Sequence, residues 1–516
     1  MPVTSKFMVL GNHDTVATNL GDSLKANDCV SINTNNSLQN ITLKTDIPRG
    51  HKVATKNIPR GTPVIKYGMP IGLANQDIQI GEHVHVHNIS FSEFIPINDE
   101  LTKPRSHALA SLSPRSTTFS GYKRRNGTTG VRNYIVVMAG VNCSATVAKE
   151  IALNFRNTLN RSDIDGVVPV TYSGGCAHSP NTYAHEIQAR TLSGWLEHPN
   201  VVAALCIGLG CETMNWKRIS AHLTESDALY LPIENFNITE VGGTKAAIQR
   251  GINWIRNCLE VLPKFERTMC PVSELRIGTN CGGSDAFSGM TANPALGLAS
   301  DAIVNLGGTS VFAEIPECYG AETTYLFPRI KSQQHKEKLK NVLNFWNDYY
   351  SRHRVLADNN LAAGNISGGI STILEKSLGA IAKSGSSEIS AVIDYGERIK
   401  ESGLVLMNTP GYDPASVTGL VAGGCNMIAF TTGRGSTFGC SIAPTLKIAT
   451  NSAIFEKMSD DMDINAGSIL DGKALSDVGE EIYETLLKCA SGQQTKSEAN
   501  RIGWEEFVPW SVGETL

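Results

Sequence analysis

The spacing of apolar and polar residues changes character along the chain. Over residues 1–92, short apolar runs alternate with turns marked by glycine and proline, as in Ile58-Pro59-Arg60-Gly61-Thr62-Pro63-Val64-Ile65 and Ile78-Gln79-Ile80-Gly81-Glu82-His83-Val84. Helical spacing is almost absent there, and this punctuation predicts a small all-β module. From 93 to 118 the chain carries Pro96, Pro104, Pro114 and many serines without periodicity, and reads as a linker. From Phe119 onward, strand-like runs such as Tyr134-Ile135-Val136-Val137 and Val167-Val168-Pro169-Val170 precede helical spacing over Ala145 to Leu159 and Thr182 to Leu196. That alternation predicts α/β units around mainly parallel strands. A break from Leu262-Pro263-Lys264-Phe265 to Cys270-Pro271 separates a middle α/β unit, 119–266, from a last one, 267–516.

Four strand-like runs end in a glycine-rich turn that carries a cysteine: Cys143, Cys176, Cys211 and Cys281. Ligands of open parallel sheets gather beyond the carboxyl ends of the strands, so thiols delivered there suggest part of a site. At 516 residues the chain exceeds one ordinary core, and 41% hydrophobic with 18% charged residues describes a globular protein. A net charge of −4 without a long basic run gives no footprint for nucleic acid, and Lys123-Arg124-Arg125 reads as a solvated turn. The start of the chain lacks a secretory apolar region, and no stretch approaches the roughly 18 apolar residues that a bilayer requires. A cytoplasmic protein with no nucleic-acid or membrane partner is expected. Its 12 cysteines form no close Cys-x-x-Cys pair, so reduced thiols are expected as well.

Thiols, carboxylates and imidazoles each offer a site. Cys143, Cys176 and Cys211, with Cys281 nearby, are candidates for an iron or iron–sulfur centre with one open position; the alternative is a small residue packed beneath each turn. That packing role is expected of Cys206, Cys258, Cys270, Cys318, Cys425, Cys440 and Cys489. Asp285 follows a Gly-Gly turn, and Glu314 and Glu317 follow Val311-Phe312-Ala313, so all three could face one cleft as bases or hard-cation ligands, or serve as caps and surface ion pairs. Arg434 in its glycine-flanked turn, and Lys376 and Lys383, could grip a carboxylate, although a solvated helix face also accounts for the lysines. Ser284 and Asn365 join them as substrate-binding candidates. His83, His85 and His87 alternate on an expected strand and would share a face, as metal ligands or as a polar docking surface, while His51 is a candidate for substrate or proton chemistry. Gly208-Leu209-Gly210-Cys211-Glu212 lacks a third glycine, and Gly242-Gly243-Thr244-Lys245 lacks the phosphate-loop spacing, so no nucleotide is expected.

The stretches Gly50-His51-Lys52-Val53-Ala54, Tyr67-Gly68-Met69-Pro70-Ile71-Gly72, Gly81 to Asn88, Gly208 to Glu212, Cys281-Gly282-Gly283-Ser284-Asp285, Thr291-Ala292-Asn293-Pro294 and Thr431-Thr432-Gly433-Arg434-Gly435 resemble the altronate and galactarate dehydratase family, in order from about residue 10 to the C-terminus. The tracts Tyr67 to Asn88 and Glu314 to Glu322 look closer to its altronate side. The resemblance implies an N-terminal β-clip (SAF) module over 1–92, a middle dimerisation domain and a C-terminal Rossmann-like catalytic domain. It also implies a homodimer that depends on iron (Fe2+) under reducing conditions, and the conversion of a small sugar acid to a 2-keto-3-deoxy acid. Such an elimination takes a proton from C2 of a 2,3-dihydroxy carboxylate and expels the C3 hydroxyl, work suited to a divalent metal with a positioned base and acid and needing no nicotinamide or flavin.

The chain departs from the family at Gly174, where an aromatic residue is usual, at Ala362-Ala363-Gly364-Asn365-Ile366, where the family commonly has Ser-Pro-Gly-Asn-Lys, and at Gly435-Ser436-Thr437. These leave galactarate, a smaller hydroxy acid such as sulfolactate, and a non-catalytic sugar-acid-binding role as alternatives to D-altronate.

Overall fold

The computed structural model describes residues 7–11, 13–34, 37–92, 112–114, 116–176, 179–223 and 231–512. Its first part is the all-β module that the turn pattern predicts. Phe7–Met8, Val16–Asn19, Lys52–Ala54 and His83–Val84 form a four-stranded antiparallel sheet. Beside it lie a three-stranded sheet of Pro63–Lys66, Met69–Ala74 and Ile89–Ser90, and a hairpin of Cys29–Thr34 with Ser37–Thr42. The two-residue link from Lys66 to Met69 requires left-handed backbone twice, and Tyr67 and Gly68 have φ of 58° and 69°. Asp14 fixes this turn by accepting from Gly68 N at 2.7 Å and Tyr67 N at 3.2 Å. The linker expected over 93–118 lies mostly outside the described residues.

The middle unit holds a four-stranded parallel sheet in the spatial order Gly166–Val170, Tyr134–Ala139, Val201–Gly208, Ile233–Asn237. The helical spacing read from the sequence becomes the helices Ala145–Phe155 and Tyr183–Leu196, and Thr182 caps the second by accepting from His185 N. Both faces of the two central strands are buried, which is why they read as unbroken apolar runs. This unit is not a separate bead. Leu192 and Trp195 share a core with Val405, Leu420 and Phe430 of the last unit. Thr118–Lys123 also pairs with Thr268–Pro271, so strands from both ends of the middle unit close its base together.

The last unit is a seven-stranded sheet in the order Ile389–Ile393, Gly403–Met407, Thr309–Phe312, Arg276–Cys281, Met427–Thr432, Thr445–Ala449, Ile464–Asn465, parallel throughout. Alternate residues serve opposite faces: Met427 and Ala429 pack toward the helices Ala292–Asn305 and Leu475–Ala490, Ile428 and Phe430 toward Asp413–Ala422. Arg276–Cys281 sits where the strand order reverses. After it the chain builds out on one side through Thr309–Phe312, then returns to its other side with Met427–Thr432. Crevices at such a switch point are where ligands bind in open α/β sheets. The N-terminal module closes over this end, with Ile71 and Val84 in one core with Phe312, Leu326 and Ile373. Among the described residues no helix is long and apolar enough to cross a membrane.

Candidate active site

Between the module and the strand ends, the helix Ile373–Ala380 organises two charged clusters. Thr372 caps it, the hydroxyl accepting from Glu375 N at 3.3 Å. Neighbouring helical residues project about 100° apart, so Glu375 and Lys376 look to different sides. Glu375 turns to the module, where its carboxylate accepts from Lys52 Nζ and Lys66 Nζ, each at 2.8 Å, and from Ser371 N at 2.9 Å. Burial pulls the Glu375 pKa upward, but the two ammonium groups overcome it and hold it down to about 2. Burial pushes Lys52 down to about 8, whereas Lys66 is lifted against its burial, chiefly by Glu375.

Lys376 faces the strand ends. Its Nζ is 2.7 Å from Glu317 Oε1 and 2.6 Å from Asn360 Oδ1. Lys383 Nζ lies 2.7 Å from Glu314 Oε2 and 2.8 Å from Cys281 Sγ, and that sulfur is 3.1 Å from Glu317 Oε2. Glu314 has left-handed backbone, φ 64°, a conformation costing a non-glycine residue about 1–3 kcal/mol and found at functional sites. The Thr409 hydroxyl holds it there, accepting from Glu314 N at 2.8 Å, while the buried Oε1 of Glu314 has no hydrogen-bond partner. Burial, reinforced by the neighbouring Glu314 and Glu317, raises Cys281 and Asp413 well above their ordinary values. Burial also raises Glu314, whereas Lys376 and Lys383 hold Glu317 down against its own burial. Two carboxyl groups on one thiol, pushed in opposite directions, are suited to act as acid and base. Four lysines and three glutamates are buried along this helix, an expense that marks functional candidates.

The imidazoles gather on the module side. The strand carrying His83 ends at Val84, and His85 is placed not by strand alternation but by a turn, in which Asn88 N donates to His85 O at 2.9 Å. The register that sets Val53 opposite His83 brings His51, two residues before Val53, alongside, with His51 Nδ1 2.9 Å from His83 Nε2. Ring centres of His51 and His85 are 4.6 Å apart, and burial pushes His83 and His85 down to about 3. His87 is exposed, its ring 5.2 Å from that of His83.

The other sequence-derived candidates divide. Asp285 is buried and its carboxylate accepts from Ser288 N, Phe287 N, Thr450 Oγ1 and Asn451 Nδ2. With its acceptors so engaged it fastens the Gly282–Met290 turn to the neighbouring strand end. Asn365 does similar work, donating to Ser284 O at 2.8 Å and accepting from Ala362 N at 2.9 Å. Ser284 and Asp285 share with Lys66, Tyr67, Glu375 and Lys376 a cavity of about 10 Å³, about the size that holds one water. Arg434 is exposed and packs over glycines: a side chain at Gly283 would stand 2.9 Å from its Cβ, one at Gly364 3.9 Å from its Nε. Among the described residues its guanidinium has no hydrogen bond or ion pair.

The four cysteines of the strand ends are not one set. Cys143, Cys176 and Cys211 are exposed on touching loops of the middle unit, where Asn142 N donates to Gly174 O at 2.9 Å and Met214 N to Gly175 O at 3.1 Å. Cys281 is buried in the other sheet. Donor atoms of Cys281, Glu314 and Glu317 lie within 4.8 Å of one another, as do those of His51, His83 and His85, and no other His, Cys, Asp or Glu trio does so among the described residues. The seven cysteines expected as packing residues are all buried. Lys52, Lys66, Glu375 and Asp413 were not among the sequence candidates. The available signal was a lysine inside a short apolar strand, as in Lys52-Val53-Ala54 and Val64-Ile65-Lys66.

Residues 5–92 match the altronate/galactarate dehydratase SAF domain, residues 121–262 the second domain of D-galactarate dehydratase/altronate hydrolase, and residues 272–515 the C-terminal domain of D-galactarate/altronate dehydratase. The chain is 36% identical to the altronate dehydratase of Escherichia coli (strain K12), over 98% of each chain. It is 35% identical to that of Bacillus subtilis (strain 168), over 92% of this chain and 94% of the relative. Identity to the L-threo-forming galactarate dehydratase of E. coli is 33%, over 87% of each. With all three segments matched in order and likeness running over nearly the whole chain, the chain belongs to the galactarate/altronate dehydratase family.

Proposed function

We propose that this protein is a hydro-lyase that removes water from a sugar acid, with D-altronate the first substrate and 2-dehydro-3-deoxy-D-gluconate the product. The observation that carries the reading is full-length likeness to two altronate dehydratases. Galactarate is the second substrate to test, since a galactarate dehydratase matches over a similar span.

The residues supply the parts that the elimination needs. Arg434, exposed and without a partner among the described residues, anchors the substrate carboxylate through paired N–H donors. Glu317, held down by Lys376 and Lys383 against its burial, is the base for the C2 proton, and Glu314, raised by burial, is the acid for the departing C3 oxygen. Lys383 orients Glu314 and Cys281 together. Asp285 and Asn365 keep the Ser284 turn and the Ala363–Ser367 helix in register beneath Arg434. Ile366, half-buried on that helix, presents no charge to a second substrate carboxylate, which favours a monoacid over a diacid.

The family resemblance implies iron, which when bound would supply a Lewis acid for the enediolate and the leaving hydroxyl. The Cys281, Glu314 and Glu317 donors do not fit it as they stand, because Lys383 and Lys376 already face both carboxylates at 2.7 Å. A dication there would sit against two ammonium groups, so no step is derived through it. Association of two copies through the middle unit, in a cytoplasmic setting that keeps the thiols reduced, completes the proposal; light scattering tests the dimer.

Anaerobic incubation of iron-supplemented protein with D-altronate, galactarate and sulfolactate tests the function. A 2-keto-3-deoxy acid from altronate, lost in Glu317→Gln with the melting temperature retained, is the expected outcome. No product from any of the three acids would refute it.

A further inference from the structure

We propose that His51, His83 and His85 form a transition-metal site that fastens the N-terminal module to the last unit and leaves coordination positions open toward the cleft. The inference starts from proton positions. His51 Nε2 lies 3.4 Å from Ser367 O. A carbonyl only accepts, so the proton sits on Nε2 and the bare Nδ1 points at His83 Nε2, 2.9 Å away. Two nitrogens bound at about 2.1 Å to one ion and at a right angle to each other stand about 3 Å apart, so this pair already has the spacing of adjacent ligands. His85 completes the trio, its donor within 4.8 Å of the other two.

The outer nitrogens are held as metal-ligating imidazoles usually are, by a carbonyl or hydroxyl that sets the tautomer and the ring direction. His51 has the Ser367 carbonyl, and His85 Nδ1 has the Ser371 hydroxyl at 3.2 Å. Ser371 Oγ is itself fixed by Lys52 Nζ at 2.8 Å. The ligands therefore come from the module and their outer partners from the last unit. Lys52, next to His51, is paired with Glu375 at 2.8 Å, which moderates its repulsion of a cation. Imidazole donors suit iron, zinc, cobalt and nickel. Three of them leave room for oxygen ligands, which on the hydro-lyase reading would be the carboxylate and hydroxyl of the substrate.

The test is anaerobic titration of metal-free, tag-free protein with Co2+, read by the visible ligand-field absorption and by metal bound per chain. Binding of one Co2+ with imidazole-type bands is expected. His51→Ala and His83→Ala should lose affinity beyond the roughly 10- to 100-fold expected for loss of an outer partner, and Ser371→Ala should fall within that range. Cys281→Ser and Glu314→Gln should bind as the wild type does. Circular dichroism of each metal-free variant checks its fold, and Ser371→Ala with His83→Gln carries the test where an alanine variant does not fold. Binding that survives the histidine changes, binding that instead follows Cys281 or Glu314, or no binding at all would overturn the site. Turnover is not read here: Co2+ bound at the histidines, with no product from any acid in the separate iron-supplemented assay, would refute the hydro-lyase reading and leave this one standing.

Discussion

Glu375→Gln isolates the energetic core of the junction. The carboxylate is almost fully buried and is the shared counter-charge of Lys52 and Lys66, at 2.8 Å from each. The substitution preserves shape and removes the charge, leaving two buried ammonium groups to an amide. Lowering a carboxyl pKa from 4.5 to about 2 corresponds to about 3 kcal/mol of preference for the ionised form in the folded state. Removing one member of a buried ion pair costs about 3–5 kcal/mol, so both routes give a loss of at least about 3 kcal/mol, more than a hundred-fold in the folding equilibrium. Urea unfolding followed by far-UV circular dichroism measures it, with Lys25→Ala as the control. That lysine meets Asp46 at 2.7 Å with a side chain 78% exposed, and exposed pairs of this kind contribute little because water and salt screen them. Because the folded pKa of Glu375 is depressed, its contribution is complete above pH 4.5 and fades as pH falls toward about 2. The gap between wild type and variant should narrow over that window. If Glu375→Gln costs no more than Lys25→Ala, the network is not what joins the module to the last unit.

Other outcomes follow from the same geometry. Lys383→Met should destabilise the fold, while Lys383→Met with Glu314→Gln should cost less than the sum of the two singles, because two buried groups in direct contact at 2.7 Å leave together; thermal denaturation of the four proteins reads this, and additivity would contradict it. Arg434→Ala should leave the melting temperature unchanged and lower kcat/KM for altronate about 10- to 100-fold, through KM, as expected for loss of a charged hydrogen-bonding anchor. Gly369→Ala would put a methyl 2.4 Å from Gly50 O at φ 96° and should cost about 1–3 kcal/mol. Gly61→Ala, at φ 78° with nothing within 4 Å, should cost only the backbone strain of about 1 kcal/mol; the two melting curves side by side decide whether contact between the units matters.

Elements built from local pattern were legible in the sequence. The all-β start, the helices after Tyr134–Ala139 and Gly166–Val170, and the buried cysteines all follow from periodicity and turn residues close together in the chain. Glu314 and Glu317 could be placed at a strand end because the run Val311-Phe312-Ala313 announces one. Their partners could not be read the same way. Lys383 reaches Glu314 across 69 residues and Lys52 reaches Glu375 across 323, and no local spacing encodes such pairings. The repeated strand–glycine–cysteine theme does not reveal that two sheets are involved: Cys143, Cys176 and Cys211 follow strands of the middle sheet, and Cys281 ends a strand of the last one. Alternation with His83 predicts a strand position for His85, but Asn88 ends that strand early by accepting from His85 N at 2.9 Å.

Dehydration of D-altronate in D2O, under anaerobic conditions with ferrous iron, tests the central claim most directly. Abstraction at C2, loss of the C3 hydroxyl and return of a solvent proton to the enol predict a 2-keto-3-deoxy acid with one deuterium at C3, visible by mass spectrometry and NMR. Unchanged altronate from folded, metal-bound protein would contradict the claim.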